Sequence, residues 1–571
     1  MSDGEALRVE VVEEPVRAEV GPDLRKALLG HPVVRSRYPE ADLWMVGLDV
    51  LDKGTDAAFG PRKPEGEEAN SPFRAVLVNM TGSEVVEAEG RLWELEDLSI
   101  IPTSRPRLPN DEEHAWALDI LRRDASLAAR LDAGEVVPYR PVPPLASVLD
   151  ADGSVVRTVA VGLREATADG GGARHRVVGV RSTDGEVITE GPGLIDGAGR
   201  DCGLPDGPSE TTPDPAGGAQ QARVRIRRGE ELLWDLVVVR PAASSGSNGS
   251  GVELRLVDFQ GVRVLHRAHV PVLNVAFDHG DATRHWLNEE SAFEAEGDEP
   301  LAGFRVCTTA PRTIAERRQG GGGFRGVALW LDGEELVVTS QLQAGWYRYV
   351  SEWRLAADGT IRPRLRLGAV SNPATCEPHT HHAYWRLDFD VVGAEQNQVQ
   401  ERNQPTLAGQ LAPWHTIRYE TQRRRDPGHE RIWRVRTVKA PHGYAIVPGP
   451  HDGTADAFGA GDVWVVTQHS EEIDDGEGFT CDPARARAQL DRFVSGELVE
   501  REDVVVWYAA HLRHEGNAGD LEMAAVGPEL QPFNWRAKVE REPYGMLEPP
   551  VHDRDDDDDD DYEDDDDYED E

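Results

Sequence analysis

Apolar positions along this chain recur mostly with period two, in short runs broken by Gly, Pro and Asp, and helical spacing is confined to a few stretches. Period two marks half-buried strands, whereas i, i+3, i+4 spacing marks amphipathic helix. Residues 1–22 are charged and show neither period, which predicts a flexible leader. Over 23–97 a short helix (Leu24–Gly30) precedes strands Leu43–Leu51, Phe73–Asn79 and Glu84–Leu92, a small α+β unit. Over 98–195 a helix starts at Asn110-Asp111-Glu112-Glu113 and runs through Ala115–Leu131, with Ala117, Leu121, Leu127 and Leu131 on one face. Strands Ser154–Leu163, His175–Arg181 and Gly185–Thr189 follow, so this unit is also α+β. The stretch 196–221, rich in Gly, Pro, Asp and Ser, reads as a linker. From 222 to 548 short strands dominate, with one helix at Ala484–Phe493, and the pattern predicts a large antiparallel β-sandwich. Residues 549–571 form a polyacidic tail, expected to be disordered. The fold class is therefore mainly β, with two small α+β domains ahead of the sandwich.

Length supports this division, since 571 residues exceed what one core holds. No apolar run reaches the ~18 residues that would span a bilayer. Met1–Glu10 is acidic and lacks an apolar segment, which predicts a cytoplasmic protein. Net charge is −43, and residues 553–571 hold sixteen acids and one Arg, so body and tail are both acidic. That excludes nucleic-acid binding through phosphates and suits cationic substrates such as amines. Cys202, Cys307, Cys376 and Cys481 are scattered, without a CxxC or zinc spacing. Gly321–Gly326 fits GxGxxG but precedes a strand (Val327–Leu331) and no helix, so it reads as a hairpin loop.

The chemistry concentrates in Glu377–Asp390. His379, His381, Ala383, Trp385, Leu387, Phe389 and Val391 alternate with Thr380, His382, Tyr384, Arg386, Asp388 and Asp390. In a strand the first set shares one face, which puts two imidazoles together with an apolar run behind them. Imidazole pairs of this kind suit copper, zinc, iron or nickel.

This stretch resembles the copper amine oxidases, whose HxH is followed by Arg-Leu-Asp and an acidic residue, matched here by His379, His381, Arg386, Leu387, Asp388 and Asp390. The resemblance implies a third ligand, and the run Asp503–His514, with Trp507-Tyr508, offers His514; His511 is the rival but falls on the opposite face. It also implies a peripheral hard-cation site, Ca²⁺ or similar, from Asp388, Asp390 and Asp503 with the carbonyls of Phe389 and Val504. Family members convert a tyrosine of their own to topaquinone within Thr-x-x-Asn-Tyr-Asp/Glu-Tyr. The corresponding segment is Gln343-Ala344-Gly345-Trp346-Tyr347-Arg348-Tyr349, with Tyr347 at the precursor position and Gln343, Trp346 and Arg348 departing from the motif. Trp346 is larger than Asn and donates only through its indole N–H, and Arg348 reverses a charge near the ring. The family's base, an Asp that takes the substrate proton, corresponds to Glu294 in Ala292-Phe293-Glu294, with Glu290 as rival and His279 where a tyrosine usually contacts the quinone.

The resemblance spans about residues 222–535, more weakly the helix and sheet before them. It implies a Cu²⁺ and topaquinone enzyme that oxidises a primary amine with O2 to aldehyde, ammonia and hydrogen peroxide, as a homodimer. The altered cofactor motif keeps two alternatives: a copper protein of the same fold without topaquinone that serves as a repurposed oxidase, and a binding or structural relative without turnover.

Overall fold

The computed structural model of the chain describes residues 6–13, 21–50, 72–80, 84–91, 94–102, 109–142, 144–149, 155–165, 173–191, 194, 196–198, 218–314, 322–369, 376–407, 409, 412–469, 472–515 and 525–535. The expected acidic tail lies outside these residues, as does Cys202.

Two large sheets carry most of the chain. The first runs in the order Leu7–Glu13, Gln221–Arg228, Glu231–Val239, Glu253–Phe259, Val262–Phe277, His379–Phe389, Val504–His514, Val463–Thr467 and Thr421–Arg423, with Ala282–Arg284 beside Val262–Phe277. The second includes, as consecutive neighbours, Val327–Asp332, Glu335–Ala344, Tyr347–Ala356, Ile361–Ala369 and Glu529–Phe533. Among the described residues, pairing in these sheets is antiparallel apart from Phe304–Cys307 with Val327–Asp332. Leu265, Leu273, Leu387 and Phe389 of the first sheet share one buried apolar cluster with Val338, Leu342, Tyr349 and Trp353 of the second. The sheets therefore close on each other as a sandwich, and each fully buried aliphatic or aromatic side chain contributes roughly 1.5–3 kcal/mol.

His379–Phe389 sits in the middle of its sheet, and the residues along it are buried on both faces. Its odd positions, Ala383 to Phe389, fill the sandwich interior. Tyr384, on the other face, joins Trp464, Trp507, Leu490 and Phe493 in a second cluster. One strand thus serves two cores, which fixes its register, since a slip by one residue would exchange the two sets.

Several expectations need correction. Leu7–Glu13, placed in a flexible leader, is a strand paired with Gln221–Arg228 along its whole length. Leu7, Val9 and Val11 alternate with Arg8 and Glu10 and turn toward the main core, a short run that the charged residues around it masked. Glu94–Pro102 completes the sheet Leu43–Val50, Pro72–Asn79, Val85–Arg91, and the boundary expected at 97 falls inside it. The helix expected over Ala115–Leu131 is two, Asp111–Leu121 and Ala125–Asp132, because Asp124 accepts from the N–H groups of Ser126 and Leu127 and so caps a new start. Asp196–Ala198, at the start of the expected linker, pairs with Arg174–Arg176. Ala484–Phe493 resolves into a single turn, Pro483–Ala486, and a 3₁₀ turn, Leu490–Phe493. Cys376 is disulfide-bonded, so it offers no thiolate to its neighbouring imidazoles, whereas Cys307 and Cys481 are free. Among the described residues no helix is long and apolar enough to cross a membrane.

The helix–sheet unit before the sandwich is pinned by a buried ion pair. Arg157 donates from Nε to Glu113 at 2.7 Å, and Glu113 also closes the capping box with Asn110. Glu113→Ala would leave the Arg157 charge buried and alone, and should lower unfolding free energy by about 3–5 kcal/mol. Urea unfolding followed by circular dichroism checks this, and a change below about 1 kcal/mol would contradict it.

Candidate metal and cofactor site

The site begins with pairing register. His379 lies opposite His514, and His382 opposite His511, on adjacent strands. His379 and His381 project into the sandwich, where their Nε2 atoms approach to 3.1 Å. The His379 ring also lies 4.7 Å from that of His514. His379 Nδ1 donates to the Glu377 carbonyl at 2.6 Å, which leaves its Nε2 as a lone pair facing His381. Burial pushes the His379 pKa down to about 4 and that of His381 well below its usual value. Neutral imidazoles with converging lone pairs are the form that binds a transition metal.

Tyr347 opens the strand that faces them. Its ring meets His379 and His381 edge-on, with centroids 5.8 and 5.3 Å apart. The phenol is buried and its oxygen makes no well-formed hydrogen bond; burial pushes its pKa upward and the neighbouring Trp346 indole N–H partly offsets this. Tyr349 is stacked 6.3 Å away, with its hydroxyl bonded to His285 Nδ1. The two tyrosines therefore differ: one phenol is tied down and the other is not.

The three departures from the cofactor motif have local explanations. Gly345 takes φ +60°, and a Cβ there would lie 2.6 Å from the Val142 side chain. Gln343 and Arg348 both donate to the Gly345 carbonyl, at 2.8 and 2.9 Å, and so fasten the turn that presents Tyr347. Arg348 also donates to the Tyr347 carbonyl, so its charge is spent on backbone. Trp346 packs edge-on against Tyr139 of the preceding unit.

The carboxylates separate. Asp388, Asp390 and Asp503 bring one oxygen each within 4.8 Å of one another, and Arg386 donates to Asp388 at 3.1 Å. Three carboxylates brought together in this way are the donors a hard divalent cation takes. The imidazole trio is more open than this. A second such cluster, Glu420, His469 and Glu497, is less apt, because Glu420 accepts from the backbone N–H groups of Thr467, Ser495 and Gly496. Glu290 is consumed in a buried ion pair with Arg240. Glu294 is one-third exposed, 3.7 Å from Arg312. His279 sits at the surface between Asp281 and Glu377, away from its expected place on the ring.

Sequence reading missed three features. His285 takes the ring-contacting place, its centroid 4.7 Å from that of Tyr347. Glu289 is a buried carboxyl pushed upward by burial, held at 2.6 Å by Arg140. His382 and His511 form a buried pair behind the sheet, Nδ1 to Nδ1 at 2.7 Å. The adjacent HH of His381-His382 was the available signal for that pair.

Burial holds His114, His285 and His382 down to about 3 as well. Their unfolded values lie near 6.5, so as pH falls the unfolded chain takes up protons first. The metal-free protein should therefore lose stability steadily from about pH 6.5 toward pH 4. Urea midpoints after chelation, at a series of pH values, check this; a midpoint that stays level would contradict it.

Residues 328–541 match the family model described as copper amine oxidase, enzyme domain. No curated protein matches the chain in sequence. In structure the chain is similar to a copper-containing benzylamine oxidase from Hansenula polymorpha, at 13% identity and TM-score 0.54, over 90% of this chain and 96% of that one. It is likewise similar to a lysyl oxidase from Pichia pastoris, at 14% identity and TM-score 0.54, over 93% and 92%. At such identities the likeness is one of fold. Residues 328–541, the part of the chain that matches the copper amine oxidase enzyme domain, carry Tyr347, His379, His381 and His514.

Proposed function

We propose that this protein is a copper-dependent oxidase of primary amines, with copper on His379, His381 and His514 and topaquinone formed from Tyr347. The observation that carries the reading is a buried phenol with no well-formed hydrogen bond, set edge-on to two imidazoles whose Nε2 atoms are 3.1 Å apart. Bound copper would supply the redox chemistry that matures the tyrosine and returns electrons to O2, and the quinone would accept the amine's electrons. The chain's own part is positional. The His379 Nδ1–H bond to Glu377 fixes which nitrogen faces the metal. The Gln343 and Arg348 bonds to Gly345 hold the turn, and His285 anchors Tyr349 while its ring lies against Tyr347.

For the proton acceptor we take Glu294, the family position. Glu289 is a specific rival, because burial raises its carboxyl and Arg140 ties it to Pro141 and Val142, which pack on Gly345. A base suited to a carbon acid needs a raised pKa. Gln substitutions decide: the variant that keeps copper and quinone but loses amine-dependent peroxide identifies the base. The Asp388, Asp390, Asp503 cluster is proposed to hold Ca²⁺ or a similar ion, and the assembly to be a homodimer. Asp388→Asn should abolish the rise in unfolding temperature that Ca²⁺ gives the parent; an equal rise in both would remove the cation from this place.

The whole reading is tested by adding Cu²⁺ to metal-free protein in air. Oxygen uptake, a visible quinone band and then peroxide release with a panel of primary amines are expected. Copper binding without a quinone band, yet with oxygen uptake on another substrate, would favour the copper oxidase without topaquinone. Copper binding with neither would leave the binding relative.

A further inference from the structure

The reverse face of the ligand strand carries a hydrogen-bonded chain that the amine chemistry does not use. Asp462 accepts from Arg425 Nη2 at 2.8 Å and from the backbone N–H groups of Ala455 and Arg425, so it is held as a carboxylate. His511 Nε2 lies 3.3 Å from Asp462 Oδ1 and 3.2 Å from the Gly461 carbonyl. Facing two acceptors, that nitrogen must carry the proton. His511 Nδ1 is then a lone pair, and it lies 2.7 Å from His382 Nδ1, which must donate. Gly459 seals this contact from water, since a Cβ there would lie 2.7 Å from both Nδ1 atoms.

The proton count therefore leaves His382 Nε2 as a lone pair. It is buried, has no hydrogen-bond partner, and points at a second carboxylate, Asp456 Oδ2, 3.8 Å away. Two electron-pair donors facing each other across a gap repel unless a proton, a water or a metal ion lies between them. Asp456 Oδ1 accepts from the N–H groups of Phe458 and Gly459, which fixes the carboxylate and leaves Oδ2 directed at the ring. Zn–N and Zn–O bonds of about 2.0–2.2 Å bridge 3.8 Å at a bent angle with neither side chain moved. Asp456 is 43% exposed, so one side of the gap is open to water and to an entering ion.

We propose that His382 Nε2 and Asp456 Oδ2 hold a second transition-metal ion of the copper or zinc class, on the opposite face of the sheet from His379 and His381. The chain from Asp462 through His511 fixes the tautomer of His382, the role that carboxylate–histidine pairs play behind metal ligands. The remaining positions on the ion go to water, so it exchanges more readily than an ion on three imidazoles.

Electron spin-echo spectroscopy of Cu²⁺ tests this in full-length His379→Ala/His381→Ala protein, because imidazole-bound and carboxylate-bound copper give different nitrogen modulation. The double variant should still bind a Cu²⁺ ion with imidazole modulation. Adding Asp456→Asn, a half-exposed change that spares the core, should remove that ion, and adding His382→Leu should do the same. Adding His511→Leu, which frees the tautomer, should weaken binding by about 10–100-fold. Imidazole modulation that survives both Asp456→Asn and His382→Leu would overturn the proposal. So would copper bound only to oxygen, which would mean that water alone bridges the gap. Loss of copper from the three-imidazole site leaves this experiment unaffected, since two of its three ligands are already removed.

Discussion

His381→Ala should strip the protein of its tightly held copper. Of the imidazoles proposed to bind copper, His381 meets His379 at 3.1 Å and its ring lies 5.3 Å from that of Tyr347, against 5.8 Å for His379. Its removal leaves His379 and His514 on neighbouring strands with no third donor on the sandwich side. Losing a partner behind a ligand already costs about 10–100-fold in affinity, and losing the ligand costs more. Copper retained after dialysis against a weak chelator should fall from stoichiometric to near zero. The fold should persist, because Ala383, Trp385, Leu387 and Phe389 still fill the interior from the same strand. A variant that unfolds would show it in circular dichroism. A folded variant that keeps its full copper would remove the imidazole trio from the metal.

The ligand strand was legible because its signals agree. Alternation put His379 and His381 on one face, and the apolar residues behind them required burial; the structure has both. His514 followed from the likeness of Asp503–His514 to a known pattern, and the register sets it opposite His379. Leu7–Glu13 was legible and overlooked: Leu7, Val9 and Val11 alternate with Arg8 and Glu10, face the core, and the strand pairs along its length with Gln221–Arg228, but the charged residues around so short a run masked it. His285 was missed for a different reason. It lies in a segment without periodicity, and only the packing of two sheets brings its ring to Tyr347. Conversely, His279 matched a family position through its neighbours Gly280 and Asp281, and local carboxylates, Asp281 and Glu377, hold it at the surface. The helix break at Asp124 was readable in principle, since Asp before Ser126 and Leu127 is an ordinary helix start. Apolar spacing that continued across the break hid it.

Tyr347→Phe should abolish amine oxidation while leaving copper in place. The phenol oxygen makes no well-formed hydrogen bond, with the Trp346 indole its one neighbouring donor, so its removal costs the fold little. The Phe ring would keep the edge contacts with His379 and His381 and the approach to His285. What disappears is the one group that oxygen chemistry at copper could convert to a quinone. Amine-dependent peroxide should drop to the level of buffer, a loss larger than the about 10²–10⁴-fold that removal of a proton-transfer group brings. Copper content and unfolding temperature should stay near those of the parent, and quinone staining should vanish. Tyr349→Phe is the contrasting variant. It breaks the bond to His285 Nδ1 and leaves that nitrogen buried without a partner, so it should lower stability by about 1–3 kcal/mol and keep the stain. Staining that survives in Tyr347→Phe and vanishes in Tyr349→Phe would move the cofactor to the second tyrosine. Staining absent from the parent after copper loading in air would leave Tyr347 an ordinary tyrosine beside a metal.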